Sequence, residues 1–437
     1  MLRHFILLLA VVFCPFFAGA QNAASPYSLY GVGIVSGKGL TYHENMGGLG
    51  ISNGKPWVMN NINPALLPMN NFTTFDLGLY TEQRNLSTSD LSQSNTTGGL
   101  RHLAMAFPLK SLKWSMALGL MPYSNVSYNM VSTAPVAGRE SADAYYQYIG
   151  SGGINQVFIS SGWQVIPKYL SIGLRAGYAF GKIEDETIVN LEEIVQVDDD
   201  TQVPKSFQPS RFDRLSRYSD FMFEGGINFR KPLKKNTELN LGLIYEFATN
   251  LNTRRDEIVQ IYNAQNPDDP TTPTDEVLAD EKGTTYLPPK FGVGLSISRA
   301  YRWTFGVDYH TRNWSQFKSD FGTQAELKQN HKVIVGGEFT PDFFSFNKYL
   351  SRITYQFGFS YEQTPITINT TSIDDFGINF GVSLPVGNAS IMNLGFKYGQ
   401  LGTTSDGLIR ENYLRLNLGM TFNDRSFEWY RNQSKFK

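Results

Sequence analysis

The 437-residue sequence has a single cysteine, Cys14. It lies in an apolar stretch, Phe5 to Phe17, that follows Arg3 and His4 and precedes Ala18-Gly19-Ala20. That order is the order of a cleaved export signal, so residues 1–20 are assigned to one. The exported chain then holds no thiol, which excludes disulfides and cysteine chemistry. Phe13 is not the small residue that lipid attachment at Cys14 needs. Long apolar runs are missing too: a spanning helix takes about 20 residues, and no segment reaches that length. Charge of one sign is also absent. The 38 basic and 39 acidic side chains give no basic face for a nucleic acid.

Histidine is scarce. Beyond the signal there are His43, His102, His310 and His331, and none has the spacing of a zinc protease. Gly33 to Gly39 (GIVSGKG) is one residue short of a phosphate loop, with Gly39 where a hydroxyl residue belongs. The runs Asp198-Asp199-Asp200 and Asp268-Asp269 read as solvated loop charge rather than a Ca²⁺ site. No metal, cofactor or enzymatic activity is expected.

What the sequence does have is aromatic residues (14%, with 31 Phe and 23 Tyr) and 40 glycines. From Phe72 onward the apolar period is two. Leu239, Leu241, Leu243, Tyr245 and Phe247 alternate with Asn240, Gly242, Ile244, Glu246 and Ala248. Tyr355, Phe357, Phe359 and Tyr361 alternate with Gln356, Gly358, Ser360 and Glu362. A soluble sandwich also alternates, but here two classes of connection take turns. Short ones fall near 110–111, 167–168, 231–235, 299–300, 341–348 and 385–389. Long polar ones fall near 84–97, 132–152, 196–211, 263–282, 315–326, 365–371 and 402–407. Tight turns at one end and long loops at the other are the pattern of an outer-membrane barrel. The fold expected is all-β: a transmembrane barrel of about 14 antiparallel strands. Tyr301, Trp303, Tyr309 and Trp314 are expected in its interfacial aromatic belts.

Residues 21–70 do not alternate. Their last part, Met46 to Pro68, is rich in glycine, asparagine and proline. The segment is too short for its own core, and it is read as a hatch inside the lumen. Its glycines let the backbone pack closely. Asn63, Pro64, Ala65 and Leu66 turn the chain from hatch into wall. The barrel is assigned to 71–424, and 425–437 to a periplasmic tail with a possible partner contact. Pro122 interrupts what otherwise reads as the third strand, three residues after Gly119. A proline cannot donate to a ladder, so it marks either a kink opening sideways to lipid or the point where the strand leaves the membrane.

These features resemble the FadL-type family of long-chain fatty acid and hydrocarbon transporters. The resemblance is carried by Met46 to Leu67 with its Asn63-Pro64-Ala65-Leu66 turn. It is carried also by Leu287-Pro288-Pro289-Lys290-Phe291-Gly292 and by Trp303 to Phe317, with Asn313-Trp314-Ser315-Gln316-Phe317. It implies a fourteen-stranded barrel, a hatch of about fifty residues, and passage of apolar ligands sideways through a kink at Gly119, Pro122 and Tyr123. Two departures stand out. The start Ser25-Pro26-Tyr27-Ser28 is in the style of Bacteroidota outer-membrane proteins, where the fold also serves without transport, as in PorV-like components of type IX secretion. The external loops are polar.

Two functions follow. The first is a passive outer-membrane transporter of a hydrophobic small molecule, with membrane lipid around it and a continuous apolar path to Pro122. The second is a non-transporting barrel that is a subunit of a larger outer-membrane secretion or assembly complex, with an outer-membrane or periplasmic protein partner. Its lumen would be sealed by charged pairs among Glu246, Asp308, Arg302, Arg415 and Glu362.

Overall fold

The computed structural model describes residues 25–136, 139–198, 201–206, 209–263, 266–270, 275–322, 326–386 and 390–424. The expected signal (1–20), the tail (425–437) and Asp199-Asp200 lie outside the described residues.

The alternating segments form fourteen strands. They are β1 (Thr73–Ser87), β2 (Ser92–Lys110), β3 (Trp114–Val136), β4 (Arg139–Ile166), β5 (Leu170–Asp198) and β6 (Ser210–Pro232). β7 is Thr237–Glu246 continued by Thr249–Asn263, and β8 is Asp275–Leu287 continued by Lys290–Arg299. Then come β9 (Trp303–Asn313), β10 (Gln329–Phe339), β11 (Thr354–Ile368), β12 (Thr371–Val386), β13 (Ser390–Leu401) and β14 (Arg410–Asp424). Each pairs antiparallel with the next. β1 pairs with β14, from Thr73↔Asp424 to Ser87↔Arg410, and this closes the barrel.

The alternation has the sign of a membrane barrel. Phe305, Phe357, Phe359, Phe380 and Phe396 face outward, 41–56% exposed. The residues between them point inward: Thr304, Asp308, Gln356, Asn379 and Asn417 are at most 4% exposed. Bulky apolar side chains outside and polar ones inside is stable only where lipid surrounds the wall. No helix among the described residues is long and apolar enough to cross a membrane.

Three local expectations are corrected. Much of the stretches expected as long loops is strand: β1 and β2 pair out to Ser87↔Ser92, and β3 and β4 pair out to Val136↔Arg139. Beyond the lipid both faces of a hairpin see water, so the apolar alternation that marks a strand disappears. β4 and β5 have 28 and 29 residues and β9 and β10 have 11 each, where about 9–11 tilted residues suffice to span. The wall from β3 to β8 therefore stands far above the rest. Second, the expected tight turn at 341–348 is a longer connection with a helical turn, Tyr349–Arg352, and an almost fully exposed Phe346. Third, Trp314 is not in a lipid belt. It is buried in the lumen, in one apolar cluster with Tyr123 and Tyr27.

Residues 25–70 occupy the lumen. They contain short turns at Pro26–Leu29, Thr41–Glu44 and Pro64–Met69 and a two-residue strand, Ile34–Val35. Leu40, Met46, Leu49, Ile51 and Met59 are wholly buried. The wall makes room with its own glycines, which the sequence reading had credited only to the inner segment. A Cβ on Gly336 would sit 2.6 Å from the Met46 carbonyl oxygen, and Gly358 backs onto the same residue.

Candidate functional site

The Asn63-Pro64 corner is built from backbone satisfaction. The Asn63 side chain accepts from the Ala65 N–H (3.0 Å) and donates to the carbonyls of Ile51 (2.7 Å) and Ile227 (3.2 Å). It thus caps the Pro64–Met69 turn and ties it to β6. Pro64 lies against Gly173 and Gly226, where no Cβ would fit. Ala65 and Leu66 are buried behind it, and β1 begins at Thr73.

Around the lumen, polar side chains hold the inner segment to the wall. Lys38 Nζ pairs with Glu246 (2.5 Å) and with Glu224, and Arg312 pairs with the same Glu246. Lys55 donates to Thr304 (2.6 Å) and pairs with Glu338, which also accepts from the Tyr42 hydroxyl. Glu44 meets Arg101 at 2.5 Å. Arg175 donates to the carbonyl and the side chain of Asn61, both at 2.8 Å. Asp308 Oδ2 accepts from the Gly50 and Ile51 N–H groups (2.7 and 2.9 Å). Of the side chains expected to fill a sealed lumen, Glu246 and Asp308 hold the inner segment, Arg415 pairs with Glu82 (2.6 Å) and Glu362 pairs with Lys332 (3.0 Å). Arg302 is the exception. It is exposed in a turn and donates to the Pro341 carbonyl at 2.8 Å.

Burial pulls the Lys38 ammonium down, but Glu224 and Glu246 outweigh it and hold it above the usual lysine value. His43 has no such partner. Burial outweighs the attraction of Asp76 and Glu44 and lowers its pKa to about 4, so it is neutral.

Pro122 sits just past the end of the β2–β3 ladder. The β2–β3 ladder runs from Lys110↔Trp114 to Leu103↔Leu120, and among the described residues no β2–β3 pair follows. β3 itself continues, paired with β4, to Val136, with a register shift between Pro122 and Ser124. Pro122 is therefore not where the strand ends. Gly119, just below, is buried with the Leu103 carbonyl 2.7 Å from where a Cβ would stand. Tyr123 points into the lumen, and its hydroxyl accepts from Arg312 at 2.8 Å. The freed edge of β3 is taken by the inner segment. Ile34–Val35 pair with Asn125 and Ser124, Ser36 N–H donates to the Tyr123 carbonyl (2.8 Å) and Ser25 N–H to that of Ser127 (2.7 Å). A cavity of about 440 Å³ lies beside this seam, lined in part by Tyr80, Arg101, Pro122 and Asn155.

A family model described as BamG matches residues 1–436. The chain belongs to the BamG family. Among solved structures, this BamG-family barrel is similar to a Pseudomonas aeruginosa FadL homologue (TM-score 0.56, 13% identity, covering 90% of this chain and 99% of that one). It is similar also to the Pseudomonas putida toluene transporter TodX (TM-score 0.53, 15% identity, 89% and 98%). A third is the CymD monoaromatic hydrocarbon channel (TM-score 0.52, 12% identity, 92% and 99%). No curated protein matches. The FadL resemblance thus holds for the fold, and the family itself is BamG. The neighbours are channels and transporters rather than enzymes, and the shared barrel points to the outer membrane.

The alternation had placed Glu246, Asp308, Arg415 and Glu362 on the inner face. It gave no sign that Lys38, from the non-alternating segment, is the cation that Glu224 and Glu246 share.

Proposed function

We propose that this BamG-family barrel is a plugged subunit of a multi-protein outer-membrane complex, with a protein partner in the membrane or periplasm. The observation that carries this is the clamping of residues 25–70 by buried ion pairs on several sides of the lumen, Lys38–Glu224/Glu246, Lys55–Glu338 and Glu44–Arg101. A gate must leave its seat at low cost. Removing one partner of a buried pair costs about 3–5 kcal/mol, and several such pairs would have to part together. The Bam-type family name accords with a protein partner. Purification of the tagged full chain from its membrane in mild detergent tests this. A stoichiometric protein partner is the expected result, and recovery with lipid alone would overturn it.

A second reading, transport of a hydrophobic compound with lateral exit at Gly119, Pro122 and Tyr123, is favoured by the parted β2–β3 ladder and by the fold of the hydrocarbon channels. Under it, Pro122→Val lowers uptake of toluene into intact cells. Unchanged uptake removes the exit from consideration.

A further inference from the structure

The register of the wall sets one row of charge across five strands. Arg175 on β5 faces Glu224 on β6, Glu224 faces Glu246 on β7, Glu246 faces Lys290 on β8, and Lys290 faces Arg312 on β9. Lys38 from the inner segment pairs with both carboxylates. Four cations therefore share two carboxylates, and the row keeps an excess of two positive charges. Arg175 bonds Asn61 and Arg312 bonds Glu246 and Tyr123, in each case through the terminal nitrogens only, so that both Nε atoms stay without a partner. The side chain of half-buried Lys290 has neither an ion pair nor a hydrogen bond among the described residues.

The row borders a chamber of about 300 Å³ between the inner segment and the wall, lined by Lys38, Glu224, Lys290, His310 and Arg312 among others. Elsewhere in this chamber the charges are matched, as with Lys332 and Glu362 or Arg101 and Glu44. Three buried atoms of its lining are unpartnered: His310 Nδ1, Arg312 Nε and Glu224 Oε1. His310 is 7% exposed and pairs in register with Gly292, two residues from Lys290. Buried charge in excess is costly until an opposite charge with matching hydrogen bonds joins it.

We propose that this chamber binds a phosphate group, free or on a lipid, between Lys290, His310 and Arg312. A phosphate dianion matches the excess of two charges. Its geometry suits guanidinium and ammonium donors. Hydrogen phosphate, and a phosphate monoester such as phosphatidic acid in its monoanionic form, also carry a P–OH, which donates to the orphan acceptor Glu224 Oε1. Sulfate has no such proton at neutral pH. The site does not depend on whether the barrel has a protein partner.

The test is calorimetric titration of the full chain in a nonionic detergent at constant ionic strength. Sodium phosphate, sodium sulfate and dihexanoyl phosphatidic acid are the probes, and the proteins are wild type, Lys290→Met and Lys290→Arg. Heat-dependent gel migration confirms that each variant is folded. Saturable binding of phosphate or of the phosphatidic acid is expected, and whichever binds more tightly identifies the source. Lys290→Met should weaken it by about tenfold or more, as loss of a charge-assisted contact does, while Lys290→Arg retains it. Binding of sulfate as tight as phosphate, the same affinity in Lys290→Met, or no saturable binding of either phosphate probe would overturn the proposal.

Discussion

Lys38 ties the inner segment to two strands at once, because one ammonium serves two carboxylates on neighbouring strands. In Lys38→Met, Glu224 and Glu246 remain buried while Glu246 keeps only Arg312. The loss expected is about 3–5 kcal/mol, read as a lowered midpoint of urea unfolding in detergent. The inner segment also carries a pH dependence. His43 is held neutral with a pKa of about 4, against 6.5 for an ordinary histidine. Above pH 6.5 neither state is protonated there, and the stability is fully present. Between 6.5 and 4 the unfolded chain binds a proton that the folded one refuses, so stability falls as pH falls. Unfolding measured across that window should show this slope, and His43→Leu should flatten it. A close backbone approach gives a third test at this scale. Gly336→Val puts a side chain against the Met46 carbonyl, 2.6 Å from the Cβ position. Overpacking of about 1–3 kcal/mol is expected, again as a lowered unfolding midpoint.

At the scale of elements, β3 is the strand with unusual neighbours. Below Leu120 it is an ordinary wall strand between β2 and β4. Above it, β2 has left, and the free edge from Tyr123 to Ser127 finds its partners in Ser25–Ser36. An unpaired edge is costly at membrane depth, since lipid offers no hydrogen bonds. The inner segment is thus part of the wall as well as its filling. Deleting residues 25–36 should expose that edge. Amide exchange at Ser124 to Ser127 should then rise by orders of magnitude, while exchange at Phe357 to Tyr361 on β11 stays slow. Equal protection of both strands after the deletion would show that something else covers β3.

At the scale of the molecule, the plug and the wall form a single electrostatic unit. The aqueous path through a fourteen-stranded barrel is wide enough to require filling, and the filling combines buried apolar side chains such as Leu40, Met46 and Met59 with ion pairs to the wall. The intact chain should therefore give no steady conductance in a planar bilayer. Removal of residues 25–60 should produce an open pore. If the deleted barrel stays silent, the lumen is closed by its own side chains, Arg84 with Glu82 and Glu411 among them.

Strand, face and environment were already determined by the sequence. The Leu239 to Phe247 alternation is a local property, and a bulky outward face with a polar inward one needs nothing beyond the residue order. The count of fourteen was legible for the same reason. The upper hairpins were not, because both their faces meet water and the alternation vanishes. Trp314 and Arg302 were misplaced because strand ends obey no period. What only the tertiary structure decided is which charges meet. Lys38 finds Glu224 and Glu246 from 186 and 208 residues away. Alternation says that a side chain points inward. Its height and its angle around the barrel come from ladder register and closure, and those set the row from Arg175 to Arg312, the parted seam at Pro122 and the clamped plug.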